Sequence, residues 1–333
     1  MRRVLKWCAF VAGAGIVLVA LWLVRYPLHE LPHQNLPLQF SINAGSSLRG
    51  ATRQMVEAGI LKHALPFELL TRFFGDPTNV KAGNYELERR LTPLELMDKI
   101  TRGDYTSLAI TFVEGWTFRQ VRKALDEHPA LRHESRGLSD AEVLQKLGIP
   151  HDSAEGWFFP DTYHFSNGGS DFNILRRSYQ LMQNHLATQW ENRAPDLPLA
   201  SPYEALILAS IVEKETGKMP ERSVVAAVFV NRLKVGMKLQ TDPTVIYGLG
   251  AQFDGNLRKH DLIADGPYNT YMRPGMPPTP IAMPGLASLR AALHPAETDA
   301  LYFVAKGDGS SHFSRTLEEH DRAVTKYQRG GRK

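Results

Sequence analysis

The chain has 333 residues, 43% of them hydrophobic and 22% charged, enough apolar material for two folded domains and too much for wholesale disorder. Its 39 basic and 35 acidic residues give a net charge of only +4 and are scattered along the sequence, which argues against nucleic-acid binding; Arg329-Gly330-Gly331-Arg332-Lys333 reads as a frayed end. The only cysteine is Cys8, so the folded part has no disulfide to hold it.

From Trp7 to Val24 the chain is uncharged and mostly apolar, and as a helix it would span roughly 27 Å, the thickness of a bilayer's hydrocarbon core. Arg2, Arg3 and Lys6 precede this run and Arg25 follows it, which by the positive-inside rule leaves the start of the chain in the cytoplasm and the rest outside. The run is long for a signal peptide and no small-x-small cleavage site follows, so residues 1–25 read as a retained anchor and 26–37, rich in Pro and His, as a linker.

Leu38, Phe40 and Ile42 alternate as a short strand, and helices are predicted over Leu48–Ala58 and Phe67–Phe74. Val80–Leu87 reads as a strand, and Thr92-Pro93-Leu94-Glu95 caps a helix running to about Arg102. These elements make a small α+β module over 38–110. Leu108–Phe112 alternates as a further strand leading to a helix near Phe118–Leu125, and a larger α+β domain is assigned to 111–333. Within it, Glu155–Phe165 packs aromatic side chains around a Pro-Asp turn. Such a segment suits either stacking on sugar rings or an aromatic core.

The densest signal is Ser201–Gly217. Ser201-Pro202-Tyr203-Glu204 is a capping box, Ala205–Val212 is almost wholly apolar, and Gly217 is the expected left-handed stop. Glu213 and Glu215 close this buried helix, and burial together with the negative end of the helix dipole raises a carboxyl pKa, as a proton donor requires. Two residues apart, they project about 200° from each other, so at most one faces a given cleft. The alternative makes both of them solvated helix-end residues paired with Lys214, Lys218 or Arg222.

A helix over Glu221–Val235 follows. Leu239–Gly248 then reads as a polar turn, Tyr268–Ile281 as a Pro-rich irregular loop presenting Asn269 and Tyr271, and Tyr302–Ala305 with His312–Ser314 as a terminal hairpin. There is no P-loop, dinucleotide fingerprint, paired-histidine zinc helix or nucleophile elbow, and His260, His294, His312 and His320 are too dispersed to suggest a metal site. No cofactor is expected.

Five blocks in order, Glu155–Thr162, Ala209–Thr216, Val228–Leu233, Leu239–Gly248 and Tyr268–Tyr271, resemble the signatures of the bacterial endolytic murein transglycosylases. The resemblance runs from the anchor almost to the carboxyl terminus. It implies a single-pass inner-membrane protein with a LysM-like module and an extracytoplasmic catalytic domain. The implied reaction cleaves the β-1,4 bond between N-acetylmuramic acid and N-acetylglucosamine within glycan strands, and association with peptidoglycan synthases is suggested by analogy. The family's essential glutamate corresponds to Glu215, with Gln240, Thr241, Asp242, Tyr247, Asn269 and Tyr271 as candidate substrate contacts. One departure is Thr279, where the family commonly has glycine. One carboxyl group suffices if the muramoyl 6-hydroxyl is the nucleophile. A hydrolase would need a second, for which Asp161 and Asp242 are candidates, and a wall-binding scaffold without turnover is the non-enzymatic alternative.

Overall fold

The computed structural model describes residues 25–31, 38–87, 89–103, 108–165 and 168–329; the anchor predicted over Trp7–Val24 and most of the linker lie outside them. Among the described residues no helix is long and apolar enough to cross a membrane. The chain divides into two units, 25–108 together with His164 and Phe165, and the remainder from Ala109 onward.

The first unit runs β1 (Leu38–Ile42), α1 (Leu48–Glu57), α2 (Ala64–Phe74), β2 (Gly83–Leu87) and α3 (Pro93–Arg102). The two strands pair antiparallel with Phe40 opposite Tyr85, and those rings stack at 5.2 Å. Alternation in β1 turns Phe40 and Ile42 inward, where Met55, Phe67, Leu96 and Ile100 complete the core. At the start of α3 the predicted capping box forms: the Thr92 hydroxyl accepts from the Glu95 N–H at 3.2 Å and the Glu95 carboxylate from the Thr92 N–H at 2.8 Å.

The second unit is mostly helical. Its elements, apart from Leu108 of β3 and His164 and Phe165 of β5, are β3 (Leu108–Thr111), α4 (Phe118–Glu127), β4 (Leu131–Arg132), α5 (Asp140–Leu147), β5 (Thr162–Phe165), β6 (Gly169–Ser170), α6 (Asp171–Glu191) and α7 (Pro202–Glu215). It continues through α8 (Arg222–Lys234), α9 (Asp242–Leu249), α10 (Lys259–Ile263), α11 (Leu286–Leu293), the antiparallel hairpin β7 (Tyr302–Ala305) and β8 (Ser311–Ser314), and α12 (Leu317–Val324). Helix α7 is the centre, with α6, α8 and α11 packed around it. Its eight residues from Ala205 to Val212 are all buried, the consequence of an apolar run with no polar face to turn to water.

Two expectations are corrected and one open alternative is resolved. Helix α7 ends at Thr216 in extended backbone, and Gly217 does not take the left-handed conformation. The polar turn predicted over Leu239–Gly248 is a helix from Asp242 onward, because Asp242 and Pro243 occupy its first turn, where a missing N–H costs nothing and a carboxylate meets the positive dipole end. In Glu155–Phe165 the rings are core: Trp157, Phe158, Phe159, Tyr163 and Phe165 are all buried, with Phe118 stacked on Phe158 at 4.8 Å.

Candidate active site

The two carboxylates at the end of α7 part company, as their 200° separation requires. Glu213 turns inward. Its Oε1 takes an ion pair from Arg222 Nη2 at 3.1 Å and its Oε2 accepts the Gly285 N–H at 2.9 Å. Both side chains are nearly inaccessible, at 5% and 8%. The backbone approaches so closely here that a Cβ on Gly285 would stand 1.8 Å from Glu114 Oε1. Glu213 is therefore a fully satisfied buried charge that joins α7, α8 and the entry to α11.

Glu215 turns the other way and meets no cation in an ion pair among the described residues. The Thr241 hydroxyl donates to its Oε1. Desolvation raises its pKa, the Thr241 bond lowers it, the nearby Asp242 carboxylate raises it and Arg232 lowers it through space. Burial thus prevails in direction, and the group holds its proton to higher pH than an ordinary glutamate. With Oε1 engaged as an acceptor, Oε2 is the oxygen left to carry that proton.

A short network holds Thr241 in place. The Thr270 hydroxyl accepts from the Thr241 N–H at 3.1 Å and lies 2.9 Å from the Thr244 hydroxyl, which in turn donates to the Thr241 carbonyl at 2.8 Å. The Gln240 N–H donates to the Thr270 carbonyl at 3.1 Å. Gln240 sits at φ +47°, an uncommon conformation for a residue with a side chain. It makes the elbow that turns the chain from Leu239 into α9 and leaves its own side chain exposed. Asp242, in the first turn of α9, accepts from the Tyr271 hydroxyl at 2.6 Å. Burial raises the Tyr271 pKa and the Asp242 bond raises it further, so this phenol stays protonated as the donor.

The structure thus brings Glu215, Thr241, Asp242 and Tyr271 together, with Gln240 at their edge. Two other predicted contacts differ. Asn269 is 5% exposed: its Nδ2 donates toward the carbonyls of Asp261, Leu262 and Ala264, and its Oδ1 accepts the Tyr271 N–H at 2.9 Å. It is the clamp of the Pro-rich loop and has no amide hydrogen left for a sugar. Tyr247 lies five residues after Asp242 on one helix, about 140° around it, and its hydroxyl donates at 3.1 Å to Glu155 instead. Of the two candidate second carboxylates, Asp242 adjoins Glu215, whereas Asp161 is exposed and accepts its neighbour Thr162's N–H.

Two functional groups escaped the sequence reading. Arg232 is buried, donating from Nε to the Leu301 carbonyl at 2.7 Å and from Nη1 to the Leu239 carbonyl at 2.6 Å. It fastens the chain just before the Gln240 elbow and supplies positive charge to the site; the signal was an arginine in an otherwise apolar helix face. Glu155 is the other, a buried carboxyl between α4 and α9. Thr279, the departure from the family pattern, has no positive φ. It fits without backbone strain, and its hydroxyl lies 2.9 Å from that of Tyr268.

Among the described residues no cluster of histidine, cysteine and carboxylate could hold a metal ion. A partly buried carboxyl with a raised pKa, one hydroxyl donor, a second carboxylate and no ion-pair partner is the equipment of a general-acid site. The chain belongs to the YceG-like family, which matches residues 40–326. It is 32% identical over 309 residues to the endolytic murein transglycosylase of Bacillus subtilis, covering 87% of this chain and 84% of that one. To the endolytic murein transglycosylase of Streptococcus pneumoniae it is 26% identical, covering 86% of this chain and 57% of the relative's length. A crystal structure of a yceG-like protein from Listeria monocytogenes superposes with TM-score 0.53 at 30% identity, over 86% of this chain and 98% of that one.

Proposed function

We propose that this protein is a lytic transglycosylase that cuts peptidoglycan glycan strands internally, with Glu215 as its acid and base. The observation that carries the reading is the contrast at the end of α7, where Glu213 is bound into an ion pair and Glu215 is held by a single hydroxyl beside Asp242. The named relatives support the substrate class.

Glu215 Oε2 gives its proton to the glycosidic oxygen as the C1–O bond breaks and positive charge develops at C1 of the muramoyl residue. The Asp242 carboxylate, oriented by Tyr271, stabilises that charge. Glu215, now a carboxylate, takes the proton of the muramoyl 6-hydroxyl as its oxygen closes on C1, giving a 1,6-anhydro ring. The proton balance closes on one side chain and no water is consumed. Gln240, exposed at the elbow, contacts the strand, while Asn269 and Tyr247 act on loop and helix position. The residues before the described part anchor the chain in the inner membrane with the catalytic unit outside the cytoplasm, and the first unit serves as a LysM-like wall-binding module. Incubation of the full chain in detergent with purified peptidoglycan, followed by mass spectrometry of the fragments, tests the reaction. Anhydro-muramoyl ends are expected. Reducing ends would convert the reading to a hydrolase using Asp242, and bound glycan without fragments would make the protein a scaffold.

A further inference from the structure

Glu155 is a charged-type side chain with only 6% exposure, and the chemistry above does not use it. Its Oε1 accepts the Phe118 N–H at the start of α4 at 2.9 Å, and its Oε2 accepts the Tyr247 hydroxyl near the end of α9 at 3.1 Å. The backbone that presents it is closely packed: Gly156 sits at φ +83°, and a Cβ there would lie 2.5 Å from Pro280 Cβ. The Tyr247 ring is also gripped edge-on by Tyr268 at 4.9 Å. Helix α9 has only eight residues, and its two ends are held on opposite sides, Asp242 by Tyr271 and Tyr247 by Glu155.

We infer that Glu155 is a positioning residue, fixing through the Tyr247 hydroxyl the rotation of the helix whose first turn presents Thr241 and Asp242 to Glu215. The lever is geometric. Side-chain atoms lie about 6 Å from a helix axis, so a 20° rotation displaces them by about 2 Å, while a hydrogen bond tolerates only a few tenths of an ångström. Releasing Tyr247 therefore loosens the Thr241 bond to Glu215 without touching substrate.

The protonation state of Glu155 enters the lever. Desolvation raises its pKa to about 7, with the Phe118 and Tyr247 bonds and the Gly156 N–H opposing and the Asp140 charge adding. Asp140 is itself paired with Arg122 at 3.0 Å; the phenols of Tyr247 and, behind it, Tyr268 are the other titratable groups on this side. Above pH 7 both carboxylate oxygens accept and the clamp is complete. Below it one oxygen carries a proton, a shape that Gln reproduces at every pH.

The inference rests on the lytic reading, and one experiment separates the two. Cleavage of purified peptidoglycan by the full chain is measured from pH 5.5 to 8.5 for wild type, Glu155→Gln, Tyr247→Phe and the double variant, each checked for folding by circular dichroism. The expected ratio of wild-type to Glu155→Gln kcat is within twofold at pH 5.5 and about tenfold at pH 8, with KM changed less than twofold. The double variant should lose no more than the worse single one, as groups acting in series do. A ratio independent of pH, or losses that multiply in the double variant, would overturn the inference while leaving the reaction intact. Absence of cleavage by wild type would instead remove the lytic reading beneath it.

Discussion

Glu213 and Glu215 stand two residues apart at the end of one helix, and the structure treats them oppositely. Glu213 has a guanidinium at 3.1 Å and a backbone donor at 2.9 Å, so both of its oxygens are taken up by the fold. Glu215 has one hydroxyl and a neighbouring carboxylate, so its charge is discouraged by its surroundings. Identical chemistry on opposite sides of a helix gives one residue to the fold and, on the reading proposed above, the other to the reaction. Partnership, rather than burial, makes the difference.

Three predictions probe that contrast. The largest effect belongs to Glu213→Ala, which leaves Arg222 buried without its main partner; chemical denaturation should show a loss of about 3–5 kcal/mol, and a loss below 1 kcal/mol would mean that the ion pair is not structural. Asn269→Ala removes the loop clamp, and a loss of about 1–3 kcal/mol is expected with KM rising little, as suits a group that holds loop carbonyls and not sugar. A large rise in KM at unchanged stability would restore Asn269 as a substrate contact. The smallest effects are shifts of opposite sign in the pH–rate profile. The acid must be protonated, so the rate falls as pH rises through the Glu215 pKa. Thr241→Val removes an interaction that lowers that pKa and should move the falling limb to higher pH, whereas Asp242→Asn removes one that raises it and should move the limb lower. Shifts in the same direction would disprove the electrostatic assignment.

Much of this was legible in the residues. The capping residues Ser201 and Thr92, the apolar run of α7 and the 200° divergence of its glutamates follow from local rules, and each is present in the fold. The first turn of α9 was legible as well, in Asp242 and Pro243, but the surrounding polar residues suggested a turn. Helix α6 was not read, although Ile174, Leu175, Ser178, Tyr179, Met182 and Leu186 line its buried side at helical spacing; exposed arginines and glutamines between them obscured the stripe. The functions of Arg232 and Glu155 could not be read locally, because each is defined by a partner tens of residues away. The Glu155 carboxyl meets Tyr247 ninety-two positions later in the sequence. The same limit explains why the aromatic block could suit a core or a cleft equally: only packing shows that its rings face inward.

The most direct measurement is turnover of purified peptidoglycan by Glu215→Gln beside wild type, with melting temperature followed at pH 5 and pH 8. A carboxyl whose pKa is raised by folding contributes stability below its unfolded pKa and loses that contribution as pH rises through its folded pKa. The glutamine variant should therefore be no less stable at pH 8 than wild type while cleaving at least about a thousandfold more slowly and binding glycan as before. Turnover within a few-fold of wild type would contradict the account at its centre.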